Sequence, residues 1–199
     1  MSKLYYKFSV MSAGKSTNLL QTAYNYTSCG KEVLIYTSGL DTRYGTGKVT
    51  SRIGLEKDAI IINPDDYSVL YDGIEQIKQN ANIKAVFVDE CQFLNEKHVD
   101  ILSDIVDNHD IPVFCYGIRT DFNSKLFSGS TRLFEIADSI EELRNICSCG
   151  RKAIMNARLS DSTDKVLIGG NETYKSMCRK CYKEYMKSKY FTLTSKEIF

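Results

Sequence analysis

The chain has 199 residues, 43% of them apolar and 26% charged, enough to bury about 70% of the unfolded chain's surface in one α/β domain with a small appendage. Twenty-six basic against 25 acidic side chains leave a formal charge of +1, so no overall field draws in a nucleic acid or a membrane surface. Two prolines and no tryptophan, with apolar residues throughout, exclude a disordered or collagen-like chain, and no apolar run reaches the roughly 18 residues of a membrane span.

Residues 4–10 form an apolar, β-rich run, and residues 15–28 carry apolar positions at helical spacing. Between them lies Ser9-Val10-Met11-Ser12-Ala13-Gly14-Lys15-Ser16, at the strand-to-helix junction where G-x-x-x-x-G-K-[ST] becomes a phosphate-binding loop. Backbone N–H groups at the helix start would cradle the β- and γ-phosphates of a nucleotide. Lys15 adds positive charge and the Ser16 hydroxyl offers a ligand to Mg²⁺. Ser9 stands where the pattern has its first glycine, and serine resists backbone angles that glycine tolerates.

Residues 33–36 predict a second strand and residues 66–79 a helix. Residues 85–88 predict a strand that ends in Asp89 and Glu90, where the carboxylate that holds a nucleotide's metal belongs. Asp89 is assigned to the Mg²⁺ side. Glu90, facing the other way if the strand stays extended, is placed to take a proton from an attacking hydroxyl or water. Residues 96–108 carry Val99, Leu102, Ile105 and Val106 on one helical face, and residues 112–116 predict another strand. This alternation describes an α/β fold, a parallel sheet flanked by helices, with its ligands at the carboxyl ends of the strands.

After residue 146 the character changes. Cys147-Ser148-Cys149 and Cys178-Arg179-Lys180-Cys181 are separated by 28 residues, and their four sulfurs match the tetrahedral thiolate set that Zn²⁺ favours. Such a structural metal would staple a module too poor in apolar residues to build its own core. Reduced surface thiols or a redox switch are the competing readings of the same residues. Cys29, Cys91 and Cys115 read as small buried apolar residues, and neither His98 nor His109 is read as a ligand. Seven cysteines without a secretory leader pattern fit a reducing, cytoplasmic setting. Residues 147–187 hold nine Lys/Arg against four Asp/Glu, a net of +5, whereas residues 1–146 have 15 against 20, a net of −5. The expected organisation is therefore a nucleotide-binding domain over residues 1–146, a zinc module over 147–187, and an unassigned tail over 188–199.

Taken together, the phosphate loop with its Ser-x-Met, the string Asp89-Glu90-Cys91-Gln92-Phe93, the string Asp41-Thr42-Arg43-Tyr44, and the two cysteine pairs resemble the type II thymidine kinases, in particular their bacterial branch. The resemblance runs from about residue 4 to residue 187, in the family's order. It implies a RecA-like P-loop fold with a small zinc-binding lasso domain, and transfer of the γ-phosphoryl group of ATP to the 5′-hydroxyl of thymidine. It also implies roles for residues. Ser9 to Ser16, with Asp89, Glu90, Cys91 and Gln92, would bind ATP, and Glu90 would be the general base. Asp41 would lie near Mg²⁺ and Arg43 near the transferring phosphoryl group. Phe122 would stack on thymine and Met11 would meet its methyl group. A lasso over residues 158–174 would close the acceptor site, with Lys165, Val166, Leu167, Ile168 and Gly169 offering main-chain atoms to the base and Tyr174 sealing it. Cys147, Cys149, Cys178 and Cys181 would hold zinc. A homotetramer restrained by thymidine triphosphate, with no nucleic-acid or membrane partner, completes what the resemblance implies.

Two rivals share some of these features. A nucleoside monophosphate kinase with a zinc-bound lid would interrupt the chain in its middle, whereas here the cysteines follow the last predicted sheet strand. A zinc-containing nucleotide switch or DNA-remodelling ATPase would use Glu90 to activate water and the basic module to meet phosphates, against the near-neutral charge.

Overall fold

The computed structural model describes residues 1–41, 47–162 and 167–196, with side chains through residue 189. In chain order the first half comprises β1 (Leu4–Ser9), α1 (Lys15–Thr27), β2 (Glu32–Ser38), β3 (Lys48–Thr50), β4 (Glu56–Asp58), β5 (Ile60–Ile62), α2 (Ser68–Gln79) and β6 (Ile83–Val88). A single 3₁₀ turn at Cys91–Phe93 is followed by α3 (Glu96–His109), β7 (Val113–Ile118), α4 (Ser128–Ile136), β8 (Ser139–Glu142), β9 (Met155–Arg158), β10 (Tyr174–Met177) and α5 (Arg179–Lys196).

Six strands form one sheet in the order β5-β2-β6-β7-β1-β8, and every neighbouring pair is parallel. The α/β architecture expected from the alternating pattern is the observed one. Strand β7 lies between β1, which ends in the phosphate loop, and β6, which ends in the acidic pair, so both loops open on the same carboxyl edge of the sheet. The strands are apolar on both faces. Tyr6, Val88 and Cys115 pack toward α2, α3 and α4, while Phe87, Phe114 and Tyr116 pack toward α1 with Leu19 and Ala23. Burial on both sides is why these strands read as continuous apolar runs and not as an alternation.

The predicted strands and helices all occur, with ends shifted by at most two residues. The helix predicted from residue 66 begins at Ser68, because the Asp66 carboxylate accepts from the Ser68 N–H and hydroxyl and so lies ahead of the first turn. His98 is buried within the capping box of α3: its Nδ1 accepts from the Asn95 N–H while the Asn95 side chain accepts from the His98 N–H. Cys91 and Cys115 are buried as expected, but Cys29 is exposed. It follows the end of α1 in a turn closed by Gly30 at φ 70, and that turn faces solvent.

Elements that the sequence did not announce are short or poor in local signal. Strands β5 and β8 sit at the two sheet edges with three and four residues. Helix α4 opens on Ser-Gly-Ser-Thr, weak helix formers held by tertiary packing. Gly129 permits that packing: a Cβ there would stand 2.3 Å from the Cys91 carbonyl oxygen and 2.9 Å from that of Leu94. Gly129→Ala should therefore lose roughly 1–3 kcal/mol of stability, despite the better helix propensity of alanine, as overpacking against backbone does. Urea or thermal unfolding of the variant checks this.

Candidate active site

The phosphate loop leaves β1 at Ser9 and enters α1 at Lys15. Its left-handed positions are Ser12, at φ 61, and Gly14, at φ 75, so the backbone freedom the loop needs is spent there. Ser9 is still part of the strand, buried, with its hydroxyl donating to the Leu143 carbonyl. The missing first glycine thus falls where no left-handed residue is required. The Lys15 side chain folds back across the loop, and Nζ donates to the Val10 carbonyl at 2.9 Å.

Across β7 from the loop, the Ser16 hydroxyl donates to Asp89 Oδ2 at 2.8 Å. Two hard oxygen ligands at that spacing fit neighbouring vertices of a Mg²⁺ octahedron, whose bonds of 2.0–2.1 Å set cis oxygens about 2.9 Å apart. Burial pushes the Asp89 carboxyl up to about 7, and the nearby Glu90 charge adds to the shift, against the hydrogen bond from Ser16 and the charge of Lys15. A divalent cation between Ser16 and Asp89 would remove that electrostatic penalty.

Glu90 does not continue the strand. β6 ends at Val88, and Glu90 sits at φ 53, ψ 38 with its N–H given to Asp89 Oδ1 at 3.0 Å. The left-handed turn brings both acids to the wall of one cavity, in place of the opposite-facing pair an extended strand would give.

Opposite this wall is a second set of residues. The buried Asp121 side chain accepts the N–H groups of Asn123 and Lys125, each at 2.9 Å, and so ties the tight turn that presents Phe122. The Arg158 guanidinium lies 3.7 Å from the centre of the Phe122 ring. Arg158 also donates to the Tyr174 hydroxyl at 2.7 Å, and Tyr174 in turn donates to the Leu167 carbonyl at 2.9 Å. Strands β9 and β10 pair antiparallel, Arg158 opposite Tyr174, and close the base of the lasso. From outside, α5 braces both anchors: the Tyr182 hydroxyl donates to the Phe122 carbonyl at 2.5 Å and the Tyr185 hydroxyl to that of Arg158 at 2.9 Å.

A single cavity takes in Met11 through Ser16, Asp41, Asp89, Glu90, Gln92, Phe122, Leu167, Ile168, Gly169 and Tyr174. Ser9, Val10 and Cys91 are buried behind that wall. Arg43, Lys165 and Val166 lie outside the described residues.

Beyond the lasso, the sulfurs of Cys147, Cys149, Cys178 and Cys181 all lie within 4.8 Å of one another. Cys149 and Cys178 are 3.6 Å apart, well beyond the about 2.05 Å of a disulfide. Backbone N–H groups of Cys149 and Cys178 draw the Cys147 thiol down to about 6, and that of Cys181 lowers Cys178. Cys181, hydrogen-bonded to the Cys149 and Cys178 sulfurs, is pushed up to about 12. Four sulfurs gathered within this distance are compatible with a zinc ion, which selects thiolates.

The cysteine cluster is joined directly to the phosphate loop. Val10 packs into the same small core as Cys147, Ala153, Ala157, Met177 and Cys178. The Met11 N–H donates to Asn156 Oδ1 at 2.9 Å, and its carbonyl accepts from Asn145 Nδ2 at 2.9 Å and Ser176 Oγ at 2.7 Å. The Ser12 hydroxyl donates to Asn171 Oδ1 at 2.9 Å, and Asn156 Nδ2 reaches the Thr120 carbonyl at 3.3 Å. None of Asn145, Asn156, Arg158 or Ser176 was singled out for a site role from sequence. Each acts through a contact across more than 30 residues of chain or through an element without a motif.

A parallel sheet with a phosphate loop, an acidic pair two strands away, and an aromatic wall formed by Phe122 after β7 and Tyr174 at the base of the lasso defines a P-loop nucleotide-binding protein. The thymidine kinase family profile matches residues 2–182. The chain is 48% identical to a thymidine kinase of Shewanella oneidensis over 192 residues, covering 94% of this chain and 99% of that one. It is 49% identical to a thymidine kinase of Escherichia coli K12 over 190 residues, 92% of each chain. Similarity to a thymidine kinase of Haemophilus influenzae is 47% over 190 residues, 92% of this chain and 97% of the relative. The chain belongs to the thymidine kinase family. Among the described residues, no helix is long and apolar enough to cross a membrane.

Asn156→Leu would leave the half-buried Met11 N–H and the buried Thr120 carbonyl without this partner. Its expected loss is about 1–3 kcal/mol, read as a lowered midpoint in thermal or urea unfolding.

Proposed function

We propose that the chain transfers the γ-phosphoryl group of ATP to the 5′-hydroxyl of thymidine, giving thymidine monophosphate and ADP. The observation that carries this reading is one cavity shared by the phosphate loop, the Asp89-Glu90 pair and the Phe122–Tyr174 wall. Family membership and relatives named thymidine kinase support it.

In this reading the loop amides and Lys15 bind the triphosphate at the N-terminus of α1, whose dipole favours negative charge there. Ser16 and Asp89 would hold Mg²⁺, which neutralises phosphate charge when bound. Glu90 accepts the 5′-hydroxyl proton as that oxygen bonds to the γ-phosphorus. The bond to the β–γ bridging oxygen breaks, and its electron pair leaves on ADP. Phe122 offers its ring to the thymine plane and Met11 meets the base methyl. The lasso excludes water, so that ATP is not hydrolysed in place of transfer. Asp41 and Arg43 near the phosphates, and main-chain atoms of residues 165–169 near the base, are assigned by resemblance.

The same proposal places one Zn²⁺ on Cys147, Cys149, Cys178 and Cys181. Bonds of about 2.3 Å to four tetrahedral sulfurs would set them about 3.8 Å apart, close to the 3.6 Å between Cys149 and Cys178. It divides the chain into a nucleotide-binding domain over residues 1–146, a lasso module over 147–187 and a tail. A cytoplasmic homotetramer restrained by thymidine triphosphate is the expectation carried by the resemblance.

A panel of nucleosides with ATP and Mg²⁺ should show turnover of thymidine. Phosphorylation of another nucleoside with thymidine left untouched would refute the substrate. Glu90→Gln should lower kcat by about 10²–10⁴ while nucleotide binding persists, and wild-type turnover in that variant would remove Glu90 from the chemistry. Elemental analysis should find one zinc per chain, lost together with folded protein in Cys178→Ser; a folded, active, metal-free preparation would contradict the assignment.

A further inference from the structure

Gln92 lies two residues beyond Glu90 in the 3₁₀ turn and is only 2% exposed. Its two amide atoms have different partners. Oε1 accepts the Ile118 N–H, the last of β7, at 3.0 Å, and Nε2 donates to Glu90 Oε2 at 2.5 Å. A backbone N–H is an obligatory donor, so it fixes Oε1 toward Ile118 and leaves the amide N–H₂ facing Glu90. The turn reaches this depth because Gly117 has no side chain: a Cβ there would stand 2.6 Å from Cys91 Sγ and 2.7 Å from Gln92 Oε1.

We infer that Gln92 is a positioning residue that holds the Glu90 carboxylate at the reaction site by tying it to the end of β7, and that it does not act as a contact to ATP. The inference rests on the reading of Glu90 as the base. The left-handed turn at Glu90 aims its side chain only coarsely, since the torsions beyond Cα still rotate. A hydrogen bond from a neutral N–H to an ionised carboxylate is among the stronger kinds, and here its donor is itself anchored in the sheet. Fixing Oε2 sets the plane of the carboxylate and with it the direction from which a hydroxyl proton is taken. Displacement of a reacting group by about 1 Å can cost on the order of 10²-fold in rate.

Four full-length proteins test this: wild type, Gln92→Met, Glu90→Gln and the double variant, each assayed for kcat and for KM of thymidine and ATP. Gln92→Met should lose about tenfold or more in kcat, with both KM values within about twofold of wild type. In the Glu90→Gln background the same substitution should change the residual kcat by less than about twofold, because the group it positions no longer takes a proton. An equal fold-loss in both backgrounds would assign Gln92 a general structural role, and a raised KM for ATP with kcat intact would make it an ATP contact. Either result overturns the inference. If Gln92→Met does not fold, Gln92→Asn keeps a neutral amide but is one methylene too short to reach both the Ile118 N–H and Glu90, and the same expectations apply. Loss of turnover in Glu90→Gln with Gln92→Met unaffected overturns this inference alone. Full turnover in Glu90→Gln overturns the base assignment as well.

Discussion

Both main-chain polar groups of Met11 are taken by side chains from the far end of the sequence: the N–H by Asn156, the carbonyl by Asn145 and Ser176. The rest of the site depends on that junction. A phosphate loop works by holding its N–H groups in a fixed array before the ligand arrives, and buried backbone groups must find partners somewhere. Here two of the three partners of the loop's centre, Asn156 and Ser176, belong to the module built on the four cysteines, the third, Asn145, lies just ahead of it, and Val10 is part of that module's core. Donor and acceptor halves of the site are therefore one packed unit, which suits a reaction whose catalysis is mostly positioning.

The charge distribution has the same logic. Asp89 and Glu90 crowd two carboxyl groups against the buried end of β6, and burial with mutual repulsion makes the place receptive to a cation. The basic surplus of residues 147–187 belongs to the stretch whose Cys147, Met177 and Cys178 pack against Val10 of the phosphate loop. In the proposed reading a near-neutral chain divides into complementary halves, and its site accepts polyphosphate through loop amides, Lys15 and a metal without presenting a basic stripe to nucleic acid.

What sequence could reveal followed from locality. The central strands are apolar on both faces and the phosphate loop is contiguous, so both are legible as runs of residues. The four cysteines are distant in sequence but chemically distinctive, and their gathering within one small volume follows from their pairing. The turn at Glu90 was not legible: an extended strand predicts opposite faces for Asp89 and Glu90, but Gly117, 27 residues further on, lets the chain turn under β7. Nor was the tolerance of Ser9, which depends on where the strand ends and not on the motif. Arg158 and Asn156 carry no pattern at all. Their roles arise from packing against Phe122 and Met11, contacts that only the assembled fold creates.

The central claim is that one cavity holds both substrates with Glu90 between them. A crystal structure of the protein with thymidine, Mg²⁺ and a non-hydrolysable ATP analogue tests it most directly. The account predicts the γ-phosphate on the loop amides, the thymine ring against Phe122, and the 5′-oxygen about 2.6–3.2 Å from a Glu90 carboxylate oxygen. Thymidine bound away from Phe122, or a 5′-oxygen turned from Glu90 toward solvent with the nucleotide in place, would contradict it.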